Sequence, residues 1–221
     1  MRLILFGILL IMLSCGNKKV VELPKVNHSK ITEVIDVSPA YLFYDETTTD
    51  SVYLNRKNLI STTNWLINVD KRLTLKQVIP HIKFLQNKKR NAKMHKNENA
   101  KNYFTCNNTS IKNLSFIEFT NVFYTTNNDS LNLDLQKNTY TIKVKNKTTI
   151  QINTPNKKTK TTNLLNLKST LINTIETHKT PSVLLIQLNK NLNFQDYISI
   201  KSILSDLNLK NVTLSNNEFI F

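Results

Sequence analysis

The sequence predicts an α+β protein that contains two small units of similar order. Short runs rich in β-branched residues alternate with longer segments whose apolar residues have helical spacing. A gapless internal match relates the two halves of the chain, as a duplicated unit would. Of the 221 residues, 40% are hydrophobic and 20% are charged, which is typical of a globular protein. The roughly 200 residues that follow an N-terminal leader are enough for two compact units.

The scarcity of glycine excludes several classes of enzyme. Gly7 and Gly16 are the only two glycines, and both lie near the N-terminus. Phosphate-cradling loops and the nucleophile elbow of a hydrolase need glycine where the backbone turns sharply or approaches a ligand. We therefore expect no dinucleotide, P-loop or α/β-hydrolase chemistry, and we expect no enzyme.

The N-terminal segment has the features of a lipoprotein signal. Met1 and Arg2 precede an apolar run, Leu3 to Leu13, that is too short to span a membrane. The residues Met12-Leu13-Ser14-Cys15 resemble a bacterial lipobox, although Met12 stands where Leu is commonest. This resemblance implies a signal peptide at 1–14 and lipid on Cys15, and the alternative is an ordinary secretory signal with an incidental cysteine. We expect a lipid anchor in the envelope membrane (outer favoured over inner) and a folded part in the periplasm.

The first half contains a divergent unit at 29–109, preceded by a tether at 15–28. Pro80 lies inside a helical pattern, where it would kink or shorten the helix. The predicted elements are a strand at 64–70, a helix N-capped by Thr74, a solvated polar linker at 87–99 and a strand at 102–106.

The second half, at 110–221, shows a clearer pattern. Two runs in which apolar and polar residues alternate predict neighbouring strands. Two segments whose apolar residues have helical spacing predict helices on either side of a third strand. The predicted elements are strands at 139–144 and 148–152, a helix at about 161–178, a strand at 183–188, a helix at 194–207 and a closing strand at 212–214.

An internal repeat relates the two halves. The run Leu66–Leu75 aligns with Leu185–Phe194 without a gap, through a strand, a loop and the start of a helix. Chance similarity in a chain rich in Asn, Lys and Leu is the alternative. The gapless match favours duplication.

The second half resembles the periplasmic domain of the ExbD/TolR family. The resemblance is carried by Thr139–Ile152, Thr161–His178, Ser182–Phe194 and Lys210–Leu214, with Val21–Pro24 similar to the segment that follows the family's membrane helix. It implies two ExbD/TolR-like units of order strand-strand-helix-strand-helix-strand. It also implies partners such as ExbB/TolQ-type or TonB-like proteins, or peptidoglycan.

The chain departs from the family where ion transport would need acidic groups. No acidic residue lies between Met1 and Val21, and the family's membrane helix is absent. Asn189 stands where the family usually has Asp, although Asp70 keeps an acid in the first copy. The prediction is therefore a lipid-anchored binding or accessory module without ion translocation, acting through strand edges or a basic face.

The charge balance suggests an alternative function. Thirty Lys+Arg against fifteen Asp+Glu give a net charge of +15, but only four of the basic residues are arginines. Because lysine is a point charge without the planar fork of arginine, we do not expect nucleic acid. The alternative is a structural envelope lipoprotein that binds anionic glycan, peptidoglycan or lipid headgroups through a basic face. Genome bias could also account for the lysines.

Residues with catalytic or metal-binding chemistry are scattered. Cys106 is predicted to be a small buried residue, and no Cys or His spacing indicates a metal or a cofactor. Asp45 and Glu46 are predicted to form a solvated turn. The histidines, which have no partner at ligand spacing, are His28, His81, His95 and His178. The aromatic residues that predict either strand core or a stacking surface are Tyr41, Phe43, Tyr44 and Tyr53.

Overall fold

The computed structural model describes residues 19–92, 97–126, 138–175, 181–207 and 211–221. These residues form twelve strands and three helices, an α+β architecture. The strands are β1 (Lys25–Val26), β2 (Val37–Tyr44), β3 (Val52–Asn55), β4 (Asn64–Val69), β5 (Asn102–Asn108), β6 (Asn113–Glu118), β7 (Phe123–Thr125), β8 (Thr139–Asn146), β9 (Thr149–Asn153), β10 (Thr159–Thr162), β11 (Ser182–Leu188) and β12 (Val212–Ile220). The helices are α1 (Leu75–Arg90), α2 (Leu167–Ile175) and α3 (Phe194–Ser205).

The strands form two six-stranded mixed sheets. In the first sheet the order is β3-β2-β4-β5-β6, and β1 also pairs with β5. In the second sheet the order is β10-β9-β8-β11-β12-β7. The first sheet continues beyond 109, the predicted end of the first unit, because β6 pairs antiparallel with β5.

The two sheets share a central order. In each, an antiparallel hairpin (β2–β3 or β8–β9) is followed by a parallel strand, a helix and a second parallel strand. The helices begin at equivalent places of the internal match, Leu75 and Phe194. This shared order is what duplication of one unit would produce.

Local sequence explains where these two helices begin. The amide oxygen of Gln77 accepts a hydrogen bond from the Thr74 backbone N–H at 2.8 Å, as in a capping box. The Asn193 side chain accepts one from the Asp196 N–H at 2.7 Å. Helix α1 continues through Pro80 to Arg90, so the expected shortening at Pro80 is wrong.

One hydrophobic cluster joins the two halves. It includes Ile67 and Phe104 from the first sheet, Ile142 and Ile186 from the second, and residues of all three helices, among them Phe194. Phe104 lies edge-on to Phe194 with the ring centroids 5.2 Å apart. The helix-facing sides of both sheets therefore share a core.

Several predicted elements differ from the structure. The first unit has no helix between β3 and β4, where 56–63 consists of turns and irregular chain, so its predicted first helix is wrong. In the second unit the stretch 159–162 is strand β10, and helix α2 begins only at Leu167. The predicted linker at 87–99 overlaps the last turn of α1, where Lys89 is buried. The closing strand is longer than predicted and reaches Ile220.

The segment predicted as a tether is packed against the fold from Lys19 onward. The Glu22 N–H donates to the Asp70 carboxylate at 3.1 Å, and the Glu22 carbonyl accepts from Lys71 N–H at 2.8 Å. Farther along, the amide of Gln195 both accepts from the Lys25 N–H and donates to the Lys25 carbonyl, each at 2.8 Å. This N-terminal segment thus links the first sheet to α3. In the described part of the chain, no helix is both long and apolar enough to cross a membrane.

Candidate functional site

The predicted modification site is not among the described residues. Cys15 lies outside them, and so do His95 and His178. Within the described ranges, no group of three or more His, Cys, Asp or Glu side chains could hold a metal ion.

The remaining thiol and imidazoles occupy structural positions. Cys106 is buried in β5, and burial raises the pKa of its thiol to about 12, far from the range of a reactive cysteine. His28 Nε2 lies 3.3 Å from a carboxylate oxygen of Asp206 on the surface. Burial lowers the pKa of His81 below its usual value.

Asp70 and Asn189, which occupy equivalent positions in the loop of the internal match, each stabilise a local turn. The Asp70 carboxylate accepts from the Arg72 N–H at 3.1 Å, and the Asn189 side chain accepts from the Asn191 N–H at 2.9 Å. Burial opposes ionisation of Asp70, but hydrogen bonds from the Arg72 side chain and backbone lower its pKa overall. Asp70 is fully buried, so it is not presented to a partner.

The predicted solvated turn at Asp45 and Glu46 is solvated only in part. Glu46 is exposed, but Asp45 is buried and forms an ion pair with Lys19. This ammonium group, together with the hydroxyl and N–H of Thr47, lowers the pKa of Asp45 to about 2. Asp45 therefore fastens the start of the described chain to the hairpin β2–β3.

An aromatic row lies on the outer face of this hairpin, which is the face directed away from the helices. It consists of Tyr41, Phe43 and Tyr53. The ring centroids of Tyr41 and Phe43 are 5.8 Å apart, and those of Phe43 and Tyr53 are 6.0 Å apart. Lys19 Nζ lies 4.0 Å from the centroid of Tyr53. Tyr41, Phe43 and Tyr53 thus form a stacked surface, whereas Tyr44 packs against the hydrophobic core and lies beside Arg72.

The largest group of exposed lysines without an ion pair among the described residues lies in the second half, in β8, β9, β10 and their turns. We call this segment, Thr139–Thr162, the lysine meander. Its six lysines include five that are exposed, and Lys143, which is half-buried with its Nζ 4.8 Å from the ring centroid of Phe221. The lysines of the meander are Lys143, Lys145, Lys147, Lys157, Lys158 and Lys160.

The described residues place one counter-charge near the meander, Asp196 at the start of α3. Burial raises the pKa of this carboxyl, while the positive charge of Lys147 acts to lower it. No acidic residue occurs in 138–175 or in 181–195. None of the six lysines forms an ion pair with any other described residue. Outside the meander, Lys168 does pair with Asp206, and Lys101 pairs with Glu118 at 3.0 Å. Unpaired lysines in one segment raise the local positive potential and attract anions.

Sheet register places the aromatic row and the meander at equivalent positions. Tyr41 is paired with Asn68 on β4, whereas Lys143 is paired with Gln187 on β11, and the internal match aligns Asn68 with Gln187. Tyr41 and Lys143 are therefore counterparts, and Phe43 corresponds to Lys145. The same surface of the repeated unit is aromatic in one half and cationic in the other.

The strand edges of the two sheets offer little room for a further strand. β3 and β10 have four residues each and β7 has three, and β10 carries Lys160. Part of the β6 edge is covered, because the Phe116 N–H donates to the Ile31 carbonyl at 2.9 Å. Short, charged and covered edges are those that resist strand addition.

A buried polar network was not predicted from the sequence. Lys201 Nζ donates to Glu218 at 2.5 Å, Tyr197 donates to the same carboxylate at 2.9 Å, and the hydroxyls of Tyr197 and Tyr124 are 3.0 Å apart. All four residues are buried. Burial raises the pKa of Tyr197 and Tyr124 well above the usual value. The only signal for this network was that Lys201 follows Tyr197 by one helical turn on the apolar face of α3.

Lys89 is a second buried cation that the sequence did not reveal. Its ammonium group donates to the carbonyls of Thr63 and Lys101 at 3.2 and 2.9 Å, and to the Asn102 side chain at 3.1 Å. Trp65 lies beside it, with the ring centroid 5.0 Å away. Burial lowers the pKa of Lys89 to about 8. Three acceptors for three donors satisfy the group, which makes it part of the scaffold.

Comparison with known proteins gives no relative: no family model, no curated protein and no solved structure matches this chain.

Proposed function

We propose that this chain is a non-catalytic envelope protein that carries lipid on Cys15 and binds an anionic envelope polymer through the lysine meander. The observation that carries the proposal is the meander itself, six lysines in 139–162 that form no ion pair among the described residues and have no acidic residue within the segment.

The chemistry of the meander favours a flexible polyanion. Lysine ammonium groups are mobile point charges. They therefore respond to the density of negative charge on a ligand and not to the planar geometry that arginine recognises. Binding to single-stranded nucleic acid combines cations with aromatic platforms. The outer residues between these lysines are Thr, Gln and Asn, while the one aromatic residue of the meander, Tyr140, is buried. Anionic glycan is therefore the better match, and nucleic acid is not proposed.

The absence of catalysis is supported by how the buried ionisable groups are used. Lys201 and Glu218 pair with each other, Asp70 pairs with Arg72 at 2.7 Å, and Lys89 is saturated by three oxygen acceptors. The raised pKa of Cys106 disfavours its thiolate. Each of these groups has a structural partner or an inert form.

A second candidate is an accessory module for ExbB/TolQ-type or TonB-like proteins. It is favoured by the element order of the second half, in which the hairpin β8–β9 precedes α2, β11, α3 and β12. This is the order expected from the ExbD/TolR resemblance, apart from the additional strand β10 between β9 and α2. Such a partner would add a strand to a sheet edge. The shortness of the edges makes this the weaker candidate.

Binding to dextran sulfate, with neutral dextran as the reference, tests the proposal. We expect the protein to bind only the sulfated polymer, with an affinity that falls steeply as salt rises, because exposed charges are screened within about 10 Å at 0.1 M salt. The variant Lys143→Gln/Lys145→Gln/Lys160→Gln should lose most of this affinity.

A charge-matched control separates the meander from net charge. Lys57, Lys76 and Lys88 are exposed lysines of the first half. Changing all three to Gln lowers the net charge by the same amount and should leave affinity close to that of the parent. Equal losses in both triple variants would refute a role of the meander. Salt-resistant capture of an ExbB/TolQ-type or TonB-like protein would favour the second candidate.

A further inference from the structure

We propose that the aromatic row (Tyr41, Phe43 and Tyr53) lies against the headgroup region of the membrane that holds the anchor. The protein would then sit on the bilayer with the outer face of hairpin β2–β3 toward the lipid. This inference rests on the lipid anchor at Cys15 in the proposed function.

The length of chain between anchor and fold limits the distance to the bilayer. Only Gly16, Asn17 and Lys18 separate Cys15 from Lys19, the first described residue. Since consecutive Cα atoms are 3.80 Å apart, Lys19 lies at most about 15 Å from the lipid-bearing residue. The headgroup layer on each side of the hydrocarbon core is itself about 5–8 Å thick. The point where the chain enters the fold must therefore lie close to the lipid headgroups.

That entry point coincides with the aromatic row. The Lys19 side chain lies over the ring of Tyr53 and pairs with Asp45, the residue after β2. The following residues are fixed as well, because Glu22 accepts from the Lys71 N–H and its side chain lies 2.9 Å from Lys71 Nζ. The entry point cannot swing away from the row without breaking these contacts.

The chemistry of the row suits a membrane interface. Tyrosine is enriched at the level of the headgroups, where its ring is apolar and its hydroxyl remains hydrated. Tyr53 is 36% exposed and Val20, beside Lys19, is 70% exposed. The fold does not require aromatic residues here, because the counterpart of Tyr41 in the second half is Lys143.

Depth-dependent tryptophan quenching tests this orientation. The chain from Cys15 onward is coupled through the Cys15 thiol to a maleimide lipid, in vesicles of equal parts phosphatidylethanolamine and brominated phosphatidylcholine. Cys106 is fully buried and should not react. Trp65, the only tryptophan, is 2% exposed and provides the background emission. The probes are Tyr53→Trp and Phe43→Trp, and the control is Thr149→Trp at the position equivalent to Tyr53 in hairpin β8–β9.

We expect the bromolipid to quench most of the added emission of Tyr53→Trp and Phe43→Trp, and little of that of Thr149→Trp. Equal quenching at all three positions, or none at the aromatic row, would overturn the proposed orientation. A second copy of the protein covering the row would also give no quenching. The lipid is attached chemically in this experiment, so its result does not depend on lipidation in cells. Lipidation in cells is tested separately by membrane flotation. If the protein floats with membranes equally well with and without Cys15, the lipid anchor of the proposed function is refuted.

Discussion

Thr74 and Asn193, the residues that precede α1 and α3, face each other in an antiparallel β-bridge between the two halves. The hydrogen bonds around this bridge are reciprocal. The Leu75 N–H donates to the Leu192 carbonyl at 2.9 Å, and the Phe194 N–H donates to the Leu73 carbonyl at 2.7 Å. In the internal match Leu75 corresponds to Phe194 and Leu73 to Leu192. The hydrogen bonds between the two units are therefore related by approximate twofold symmetry.

This contact and the shared core predict that the two halves unfold together. Ile152→Ala, a change in the fully buried core of the second sheet, should destabilise the protein by about 2–5 kcal/mol. The fluorescence of Trp65, in the first sheet, should report this shift in a urea titration. Leu165→Ala, at a residue 92% exposed, is the control and should change stability by less than about 0.5 kcal/mol. If the unfolding transition reported by Trp65 is the same in Ile152→Ala as in the parent, the two halves unfold separately.

The buried pair Lys201–Glu218 should be costly to break on one side. Lys201→Met leaves a buried carboxylate without its cation and is expected to cost about 3–5 kcal/mol. Adding Glu218→Gln removes that uncompensated charge and retains an oxygen that can accept from Tyr197. The double variant should therefore be more stable than Lys201→Met alone, as measured by thermal and urea unfolding. A double variant whose losses simply add would mean that the two groups are not coupled.

Lys89 should make stability rise with pH above neutrality. Its pKa is about 8 in the folded protein and 10.5 in the ordinary, exposed state. Between these two pH values Lys89 is protonated in the unfolded chain more than in the folded protein, so the free energy of unfolding increases with pH. The total increase, once pH exceeds both pKa values, is roughly 3 kcal/mol at most. Below pH 8 the cost of burying the ammonium is fully present. In Lys89→Met this rise should be absent, and an identical pH profile of parent and variant would contradict the assignment.

Asp45 should titrate unusually low because of Lys19. Its pKa is lowered to about 2, so the stabilisation exists above the unfolded value of 3.8 and is lost as pH falls through 2. In Lys19→Gln the pKa should move up toward 3.8, which carbon-detected NMR titration of the carboxyl group can measure. An unchanged pKa would mean that Lys19 does not hold the chain at hairpin β2–β3.

The elements that could be predicted from the sequence are those with one buried face. β4 and β9 alternate in burial, β8 does so except at the buried Thr141, and α1 has a capping residue followed by apolar residues at helical spacing. β2 also alternates in burial, but its sequence does not alternate in polarity, because its outer residues Tyr41 and Phe43 are as apolar as its inner ones. β10 contains no apolar residue, and its last two residues lie within the predicted helix at about 161–178.

The environment of the candidate-site lysines depends on contacts distant in sequence. The lysines of the meander were visible as composition, but their lack of partners follows only from the paired strands. Lys89 and Lys201 were not recognised as buried, since their acceptors lie on other elements of the fold. The packing of residues 19–28 likewise depends on Asp70 and Gln195, which no local pattern connects with them.

The most direct test of the proposed function is photocrosslinking in native envelopes, with the crosslinking amino acid at Lys145 in the meander and at Lys57 as control. The account predicts adducts from Lys145 that a glycan hydrolase removes and a protease does not, with few from Lys57. Adducts at Lys145 that consist only of protein, or equal adducts at both positions, would contradict it.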